Sequence, residues 1–453
     1  MLKNLRQLLM AKIAGKVNPA GEAMTPETYE LTYVKIYANP AEGEASKTYD
    51  VTGLVGEIVV NESLFKASLE TEITIADGIN FFERARLSGN EKVNIVIQRT
   101  EPGEVKKKYE IECYIANIQD FSKPRPGVQV YKLVCVSKHA YYNTFKRLNR
   151  AFKGGMGSLV NNICQKDLDV TPHKINTDTK GILKGIFPHM KPIDAIVWLT
   201  RNSTDNSTPF YFYETLKDGL IFDSQESLYL ADTYRKFIQK PFFEEVPGTE
   251  ENFQAALSKI IKISSEFDMG KYFAINDGGY ASSVKALDIS TKTYTNTRFE
   301  YTDNKMQKMN ANKPFAKSIS FNDQELTEFA DSKIHHVSLN KYAYNTRGDN
   351  YHKPIADSLA QKQAYHINLG YMGQDLVIAG DFDISVGAVI ELEIYKSSDA
   401  AILEENDSRE NMIDKLQSGR YLVTEIAHTF MDDKYVLDIG VQKDSSVIDL
   451  DRD

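Results

Sequence analysis

ETEITIADGINFFERARLSGNEKVNIVIQR, residues Glu70 to Arg99, decides how the rest of the chain is read. Glu70–Ile75 alternates apolar and polar residues as a short strand does. Asp77 is placed to cap a short helix, with Ile79, Phe82 and Ala85 predicted on one face. Ser88-Gly89-Asn90 ends that helix, and Val93, Ile95 and Ile97 start a second alternating run. Tyr109, Ile111 and Cys113 form a third, and Val130–Val136 closes the set. Strand, helix, strand, strand, strand in this order implies a small antiparallel β-barrel or a strongly curled sheet.

The same order returns in the second half. Lys259–Phe267 alternates like a strand, Asp268–Asn276 reads as a short irregular or helical piece, and Gly278-Gly279 precedes a strand at Tyr280–Ile289. Gly387 leads into Val389–Tyr395 as Gly89 leads into Val93–Ile97. Tyr421–Phe430 is joined by Met431-Asp432-Asp433-Lys434 to Tyr435–Val441, as Tyr109–Phe121 is joined by Ser122–Gly127 to Val128–Val136. Between the halves, Tyr141–Gly155 reads as a basic connection and Ser158–Lys166 and Pro192–Thr200 as helices. The second helix has Ile193, Ile196, Val197 and Trp198 as its apolar face. Phe210–Tyr213 and Gly219–Phe222 flank Lys217-Asp218-Gly219, a hairpin signal.

The predicted fold is mainly β with α+β parts: two similar small antiparallel β-barrels, the second discontinuous, plus a small α+β domain and a helical or loop insertion. The predicted domains are an amphipathic arm (1–27), the first barrel (28–140), the α+β domain (141–256), the second barrel (257–300 and 365–446), the insertion (301–364) and a tail (447–453). Ser397–Ser418 reads as a further acidic loop or helix.

With 453 residues, 42% hydrophobic and 26% charged, the composition is that of an ordinary multi-domain globular protein. Leu2, Leu5, Leu9 and Ile13 share one helical face beside Lys3, Arg6, Lys12 and Lys16. The longest apolar run there, Leu8–Ala11, is too short for a signal-peptide core or a membrane span. From Asp381 to Asp453 the chain carries 18 acids and 7 bases, against a net charge of −9 for the whole chain. Such a region argues against a surface that clamps nucleic acid there. Cys113, Cys135 and Cys164 lack metal-ligand spacing and read as buried reduced thiols, the first two close enough to be neighbours on adjacent strands.

Chemistry-bearing motifs are scarce. Lys153-Gly154-Gly155-Met156-Gly157 lacks the strand before and the Lys-Ser/Thr after that a phosphate loop needs. The histidines (His139, His173, His189, His335, His336, His352, His366 and His428) include no pair four apart with a Glu. Adjacent His335 and His336 point to opposite sides of an extended chain. Asp381-Phe382-Asp383 lacks the rest of a calcium loop. Asn61, Asn202, Asn206 and Asn406 each begin an Asn-x-Ser/Thr triplet, read as chance matches. No Gly-x-Ser-x-Gly elbow occurs, and a glycosidase carboxylate pair is not excluded by counting. No residue is put forward as catalytic, cofactor-binding or metal-binding.

The layout resembles the baseplate hub proteins of contractile-tailed bacteriophages, relatives of the hub half of the type VI secretion spike. The resemblance spans roughly residues 30–445. It rests on Leu69–Arg99, on Pro192–Leu199 with Phe210–Phe222, on Gly279–Val284 with Asp288 and Phe299-Glu300-Tyr301, and on Ser418–Thr424 with Ile426, His428, Tyr435 and Asp444-Ser445. It implies a non-enzymatic homotrimer whose two barrels per subunit form a ring of pseudo-sixfold symmetry. Such a ring joins a sixfold tail tube, or its initiator, to a threefold central spike. Neighbouring baseplate wedge proteins are further partners, and DNA passes through the lumen without specific binding. The implied location is the virion baseplate, assembled in the host cytoplasm, with no membrane insertion. A tail-associated cell-wall hydrolase and a receptor- or glycan-binding module stay open as alternatives.

Overall fold

The computed structural model describes residues 26–38, 47–102, 105–179, 182–203, 208–239, 250–266, 271–301, 307–310, 313–314, 320–325, 328–339, 352–396 and 413–447. The predicted N-terminal arm and C-terminal tail lie almost wholly outside these residues. So do Asn206, Asn406 and most of the acidic stretch 397–418.

The chain is mainly β, as its alternation predicts. The first barrel is built from β1 (Glu30–Ala38), β2 (Lys47–Asp50), β3 (Val55–Ser63), β4 (Glu70–Asp77), β5 (Lys92–Glu101), β6 (Val105–Arg125) and β7 (Val128–Ser137). Its ladder order is β3-β4-β7-β6-β5-β1-β2. Every second residue points inward: Ile73 and Ile75 on β4, Val93, Ile95 and Ile97 on β5, Tyr131, Leu133 and Cys135 on β7, all buried. Val51 N–H donates to the Val34 carbonyl (2.9 Å), which brings the β1 side round to the start of β3.

Asp77 caps the short helix α1 (Phe81–Ala85), but from further upstream than the sequence pattern implies. Its carboxylate accepts the N–H groups of Ile79 (3.0 Å), Phe81 (2.9 Å) and Phe82 (3.0 Å). The turn around that carboxylate consumes residues 78–80. The buried face is therefore Phe81 and Ala85, with Phe82 packed partly against it, and Ile79 is exposed. Strand β6 also runs further than expected. Ser122–Arg125 is still strand, and the turn to β7 is Pro126-Gly127 alone.

An α+β unit follows, with helices α2 (Lys138–Phe145), α3 (Met156–Asp167), α4 (Pro192–Asn202) and α5 (Gln225–Tyr229). Its strands are β8 (Ala151–Gly154), β9 (Lys174–Ile175), β10 (Leu183–Ile186), β11 (Phe210–Thr215) and β12 (Gly219–Ser224). The β11–β12 hairpin is apolar on both faces. Phe210, Phe212, Leu220 and Phe222 pack against the helices, while Tyr211, Tyr213 and Ile221 join the barrel core. Burial on both sides explains the near-continuous apolar run.

The second barrel uses β13 (Thr233–Ile238), β14 (Ile260–Glu266), β21 (Met372–Ala379), β22 (Val389–Glu393), β23 (Gly419–Met431) and β24 (Lys434–Lys443). Their ladder order is β14-β21-β24-β23-β22-β13, and Ile238 N–H donates to the Ser258 carbonyl (2.9 Å) beside β14. In ladder order these are the counterparts of β3, β4, β7, β6, β5 and β1. Detail repeats as well as order. A bulge separates Val55 from Glu57 opposite β4, and a bulge separates Ile260 from Lys262 opposite β21. Asn90 N–H and Glu91 C=O bond Ile115, and Gly387 N–H and Ala388 C=O bond Val423 in the same way. Gly387 therefore matches Asn90 rather than Gly89, and both hold positive φ (86° and 103°). One difference stands: β13 pairs with β22 parallel, whereas β1 pairs with β5 antiparallel.

Two predicted boundaries move. β13, assigned from sequence to the α+β domain, is a strand of the second barrel. β15 (Ala281–Asp288) and β16 (Thr293–Glu300), assigned to the second barrel, lie in a separate sheet, β16-β15-β20, with β20 (Ile334–Leu339). Helix α8 (His352–Leu369) covers one face of it through Ala360 and Ala364. The interruption between β14 and β21 thus spans residues 267–371. It also holds α7 (Lys271–Asn276) and the two-residue strands β17 (Lys313–Pro314), β18 (Ser320–Phe321) and β19 (Gln324–Glu325), while α6 (Glu250–Leu257) precedes β14 and β25 (Ser445–Ser446) pairs with β17. Alternation in Tyr280–Ile289 identifies a strand but not its partner, which here is supplied by the hairpin to β16 and by α8.

Two glycines test the barrel packing. A Cβ on Gly380 would lie 2.0 Å from the Tyr435 ring, whereas one on Gly440 makes ordinary contacts from 3.4 Å outward. Gly380→Ala is expected to lower stability by about 2 kcal/mol or more and Gly440→Ala by less than about 1 kcal/mol, measured by urea unfolding.

Candidate functional site at the barrel junction

Strand β3 of the first barrel pairs antiparallel with β23 of the second, from Glu57 opposite Met431 to Ser63 opposite Glu425. The two barrels thereby share one sheet. Along this junction the inward positions carry polar groups where the alternation calls for apolar ones: Glu62 after Ile58 and Val60, His428 between Ile426 and Phe430. Both are buried.

Glu62 Oε1 accepts the Leu216 N–H (2.6 Å) from the β11–β12 turn and lies 3.2 Å from His428 Nε2. Its Oε2 accepts the Val386 N–H (3.1 Å). His428 Nδ1 lies 2.8 Å from the Tyr435 hydroxyl, which donates to the Asp381 carbonyl (3.1 Å). A second, partly buried carboxylate works in the opposite direction. Glu214, on the hairpin, accepts the Leu69 N–H (2.7 Å) and the Ser137 hydroxyl of the first barrel. His139 sits 3.7 Å from it and meets the Ala67 carbonyl (2.8 Å).

The first barrel also grips residues 380–383. Arg99 donates to the Gly380 carbonyl (2.6 Å), pairs with Glu101 (2.5 Å) and lies over the Phe382 ring (4.9 Å). Tyr109 stacks on Phe382 (4.5 Å between centroids) and donates to its carbonyl (2.9 Å). Asp381 accepts the Tyr234 hydroxyl (2.8 Å), and Asp383 pairs with Lys107 (2.9 Å).

This geometry holds parts of the chain together. Both oxygens of Glu62 are occupied by main-chain donors and no side is open to a substrate. Burial pushes the hydroxyls of Tyr109 and Tyr435 far above their ordinary value, away from nucleophilic use. Among the described residues no three His, Cys, Asp or Glu side chains are grouped to hold a metal. A groove of about 470 Å³ crosses the junction, lined by Asn61, Lys262, Asp375, Glu425 and Asp438 among others. Among the described residues no helix is long and apolar enough to cross a membrane.

The motifs weighed from sequence are scattered. Contrary to the sequence reading, a strand does lead into the glycine-rich stretch: Gly154-Gly155 links β8 to α3. A Cβ on Gly157 would meet the Asn176 carbonyl at 2.5 Å, so this glycine serves packing. His335 is half-buried and His336 exposed, on opposite faces of β20. Asp381 and Asp383 bind side chains of different elements, Tyr234 on β13 and Lys107 on β6. The three cysteines are free and buried, and hydrogen bonding to Cys113, together with burial, pushes the Cys135 thiol up. Sequence reading gave no structural role to Glu62, nor to Arg99 and Glu214, which it named only within stretches that resemble the hub family. The signal for the first two was available: each is a charged residue in phase with the core-facing residues of its strand.

No protein-family model matches the sequence, and no curated protein matches it either. Solved structures do. A tail protein from Neisseria meningitidis MC58 superposes with a TM-score of 0.51 at 10% identity, covering 92% of this chain and 97% of that one. The 43 kDa tail protein of prophage MuSo2 from Shewanella oneidensis superposes with a TM-score of 0.50 at 9% identity, covering 92% and 100%. This chain shares its fold with these two tail proteins. The tail-protein fold accommodates both barrels and the units between them, since the matches run over nearly the whole of each chain.

Lys443 is a further buried cation, donating to the carbonyls of Leu416 (2.6 Å) and Ser418 (2.8 Å). Burial pushes its ammonium down to about 7. The unfolded chain, whose lysine titrates near 10.5, binds the extra proton between those values. The penalty for burying Lys443 is full below that window and is relieved as pH rises through it, so stability rises with pH there. Lys443→Met is expected to flatten this rise between about pH 7 and pH 9, read as unfolding free energy against pH. Glu62→Ala strands two buried N–H groups and His428, and is expected to cost about 3 kcal/mol or more. A Glu62→Leu, His428→Leu pair should cost clearly less than the sum of its single variants in a double-mutant cycle.

Proposed function

We propose that this protein is the central hub of a contractile-tail baseplate, a non-enzymatic homotrimer that adapts a sixfold tail tube to a threefold spike. The observation that carries this reading is the internal duplication: two barrels with six corresponding strands in matching order and with matching bulges, joined head to tail through β3 and β23. Three such chains present six near-equivalent barrels on a threefold axis, which is what a joint between sixfold and threefold objects requires. The likeness to the two tail proteins supports it at the level of fold, and the buried, saturated polar groups of the junction suit a scaffold.

On this reading the partners are two further copies of the chain, the tail tube or its initiator, the central spike and adjoining wedge proteins. The location is the virion baseplate. The acidic C-terminal part of the chain disfavours DNA adhesion in a central channel by like-charge repulsion.

Native mass spectrometry of the chain, alone and with its candidate spike protein, tests this. A mass of three chains in either sample is the expected result, with a ring in negative stain. A monomer in both samples overturns the proposal.

A further inference from the structure

The internal junction leaves each of its two parts with one unused counterpart. Strand β23 works in two segments along one edge. Gly419–Leu422 pairs with β22, and Glu425–Met431 pairs with β3 on the same side, while β24 holds the other side. Strand β6 is built alike. Its first segment, to Tyr114, pairs with β5, and β7 holds its other side. On the β5 side of residues 117–125, however, no strand lies alongside among the described residues. The stretch is exposed apart from the half-buried Ile118. The Ile118 N–H is met by the side chain of Asn117 (2.8 Å) instead of a neighbouring strand.

The complementary vacancy is β14. Its counterpart β3 pairs with β4 on one side and with β23 on the other. β14 pairs with β21 on the matching side, and among the described residues it ends the sheet on the other, with only an isolated bridge from Lys259 to Ile238 at its start. An open, seven-residue edge carrying the exposed Ile261 is the kind of edge that native sheets cover.

We infer that β14 of one copy pairs antiparallel with the 117–125 segment of β6 in the next copy, repeating between chains the junction that β3 and β23 make within one. The register follows from the shared ladders. Asn117 matches Glu425, since they face Val134 and Gly440, which in turn face Glu72 and Asp375. Ser122 matches Thr429, facing Val130 and Val436. Lys262 and Ser264 match Glu57 and Val59, facing Val377 and Asp375 where those face Thr74 and Glu72. Thr429 lies opposite Val59 and Met431 opposite Glu57 in the internal junction. A bulge separates Ser122 from Arg125, which matches Met431, facing Val128 and Lys434. Ser122 therefore faces Ser264 of the next copy, and Arg125 faces its Lys262. The two edges differ, so the contact is head to tail, and it closes into a ring when the rotations complete a turn. The inference rests on the trimer proposed above and supplies its interface.

The test is site-directed crosslinking of the full chain with a short bis-maleimide. Two variants are made, Ser122→Cys with Ser264→Cys, and Arg125→Cys with Lys262→Cys. The native cysteines are buried, and each single variant shows whether they react. Val59→Cys with Thr429→Cys calibrates the same geometry inside one chain. The expected result is covalent dimers and closed trimers from both double variants, and no oligomers from single ones. A trimer by native mass that crosslinks through neither pair overturns this interface and leaves the trimer standing. A chain that stays monomeric overturns both.

Discussion

The fold depends on one ladder, the seven residue pairs between β3 and β23. It is the place where two closed-up sheets become one, and it is made at a cost, because the inward side of that ladder carries Glu62 and His428. A buried carboxylate is tolerated only when its oxygens are fully used. Glu62 meets this condition by binding main-chain N–H groups from two other parts of the chain, Leu216 and Val386. Polar burial therefore fixes relative placement: the hairpin and the second barrel cannot shift without exposing an unpaired donor to a dry interior.

Glu214 repeats the device from the hairpin side, and Arg99 and Tyr109 repeat it at residues 380–382. The contacts share a form. In each, a side chain from one unit bonds the backbone of another. Backbone groups are tied to the chain's path rather than to a rotamer, so these bonds define position closely. The hydrophobic core is continuous across the junction, running from Ile73 and Ile95 through Tyr213 to Leu437 and Ile439. It supplies cohesion, and the polar bonds supply register.

Duplication explains the rest of the architecture. Two barrels of one design need a joint, and the joint is the pairing of one copy's free edge with the other's long strand. The units that differ, the α+β domain and the β16-β15-β20 sheet with α8, are inserted between barrel strands and leave the barrel ladders intact. The interrupted barrel keeps its closing bonds because β14 and β21 are held side by side by the ladder, whatever the chain does between residues 267 and 371.

Period-two alternation in the chain was enough to establish that it is β-rich, because alternation is a local consequence of pleating. It pointed to a repeated order but matched Lys259–Phe267 to Glu70–Ile75, whereas the ladders match β14 to β3. Glycine and aspartate placed the turns at Lys217-Asp218-Gly219 and Asp432-Asp433, where positive φ is required. Local pattern does not say which strand pairs with which. Tyr280–Ile289 looked like a barrel strand and is not one, and β13 looked like part of the middle domain and is a barrel strand. Those assignments depend on contacts between residues far apart in the chain, as does the role of Glu62, which lies 154 residues from Leu216 and 366 from His428. A charge in phase with the core marks such a site in the sequence, but only the folded chain supplies the donors that make its burial stable.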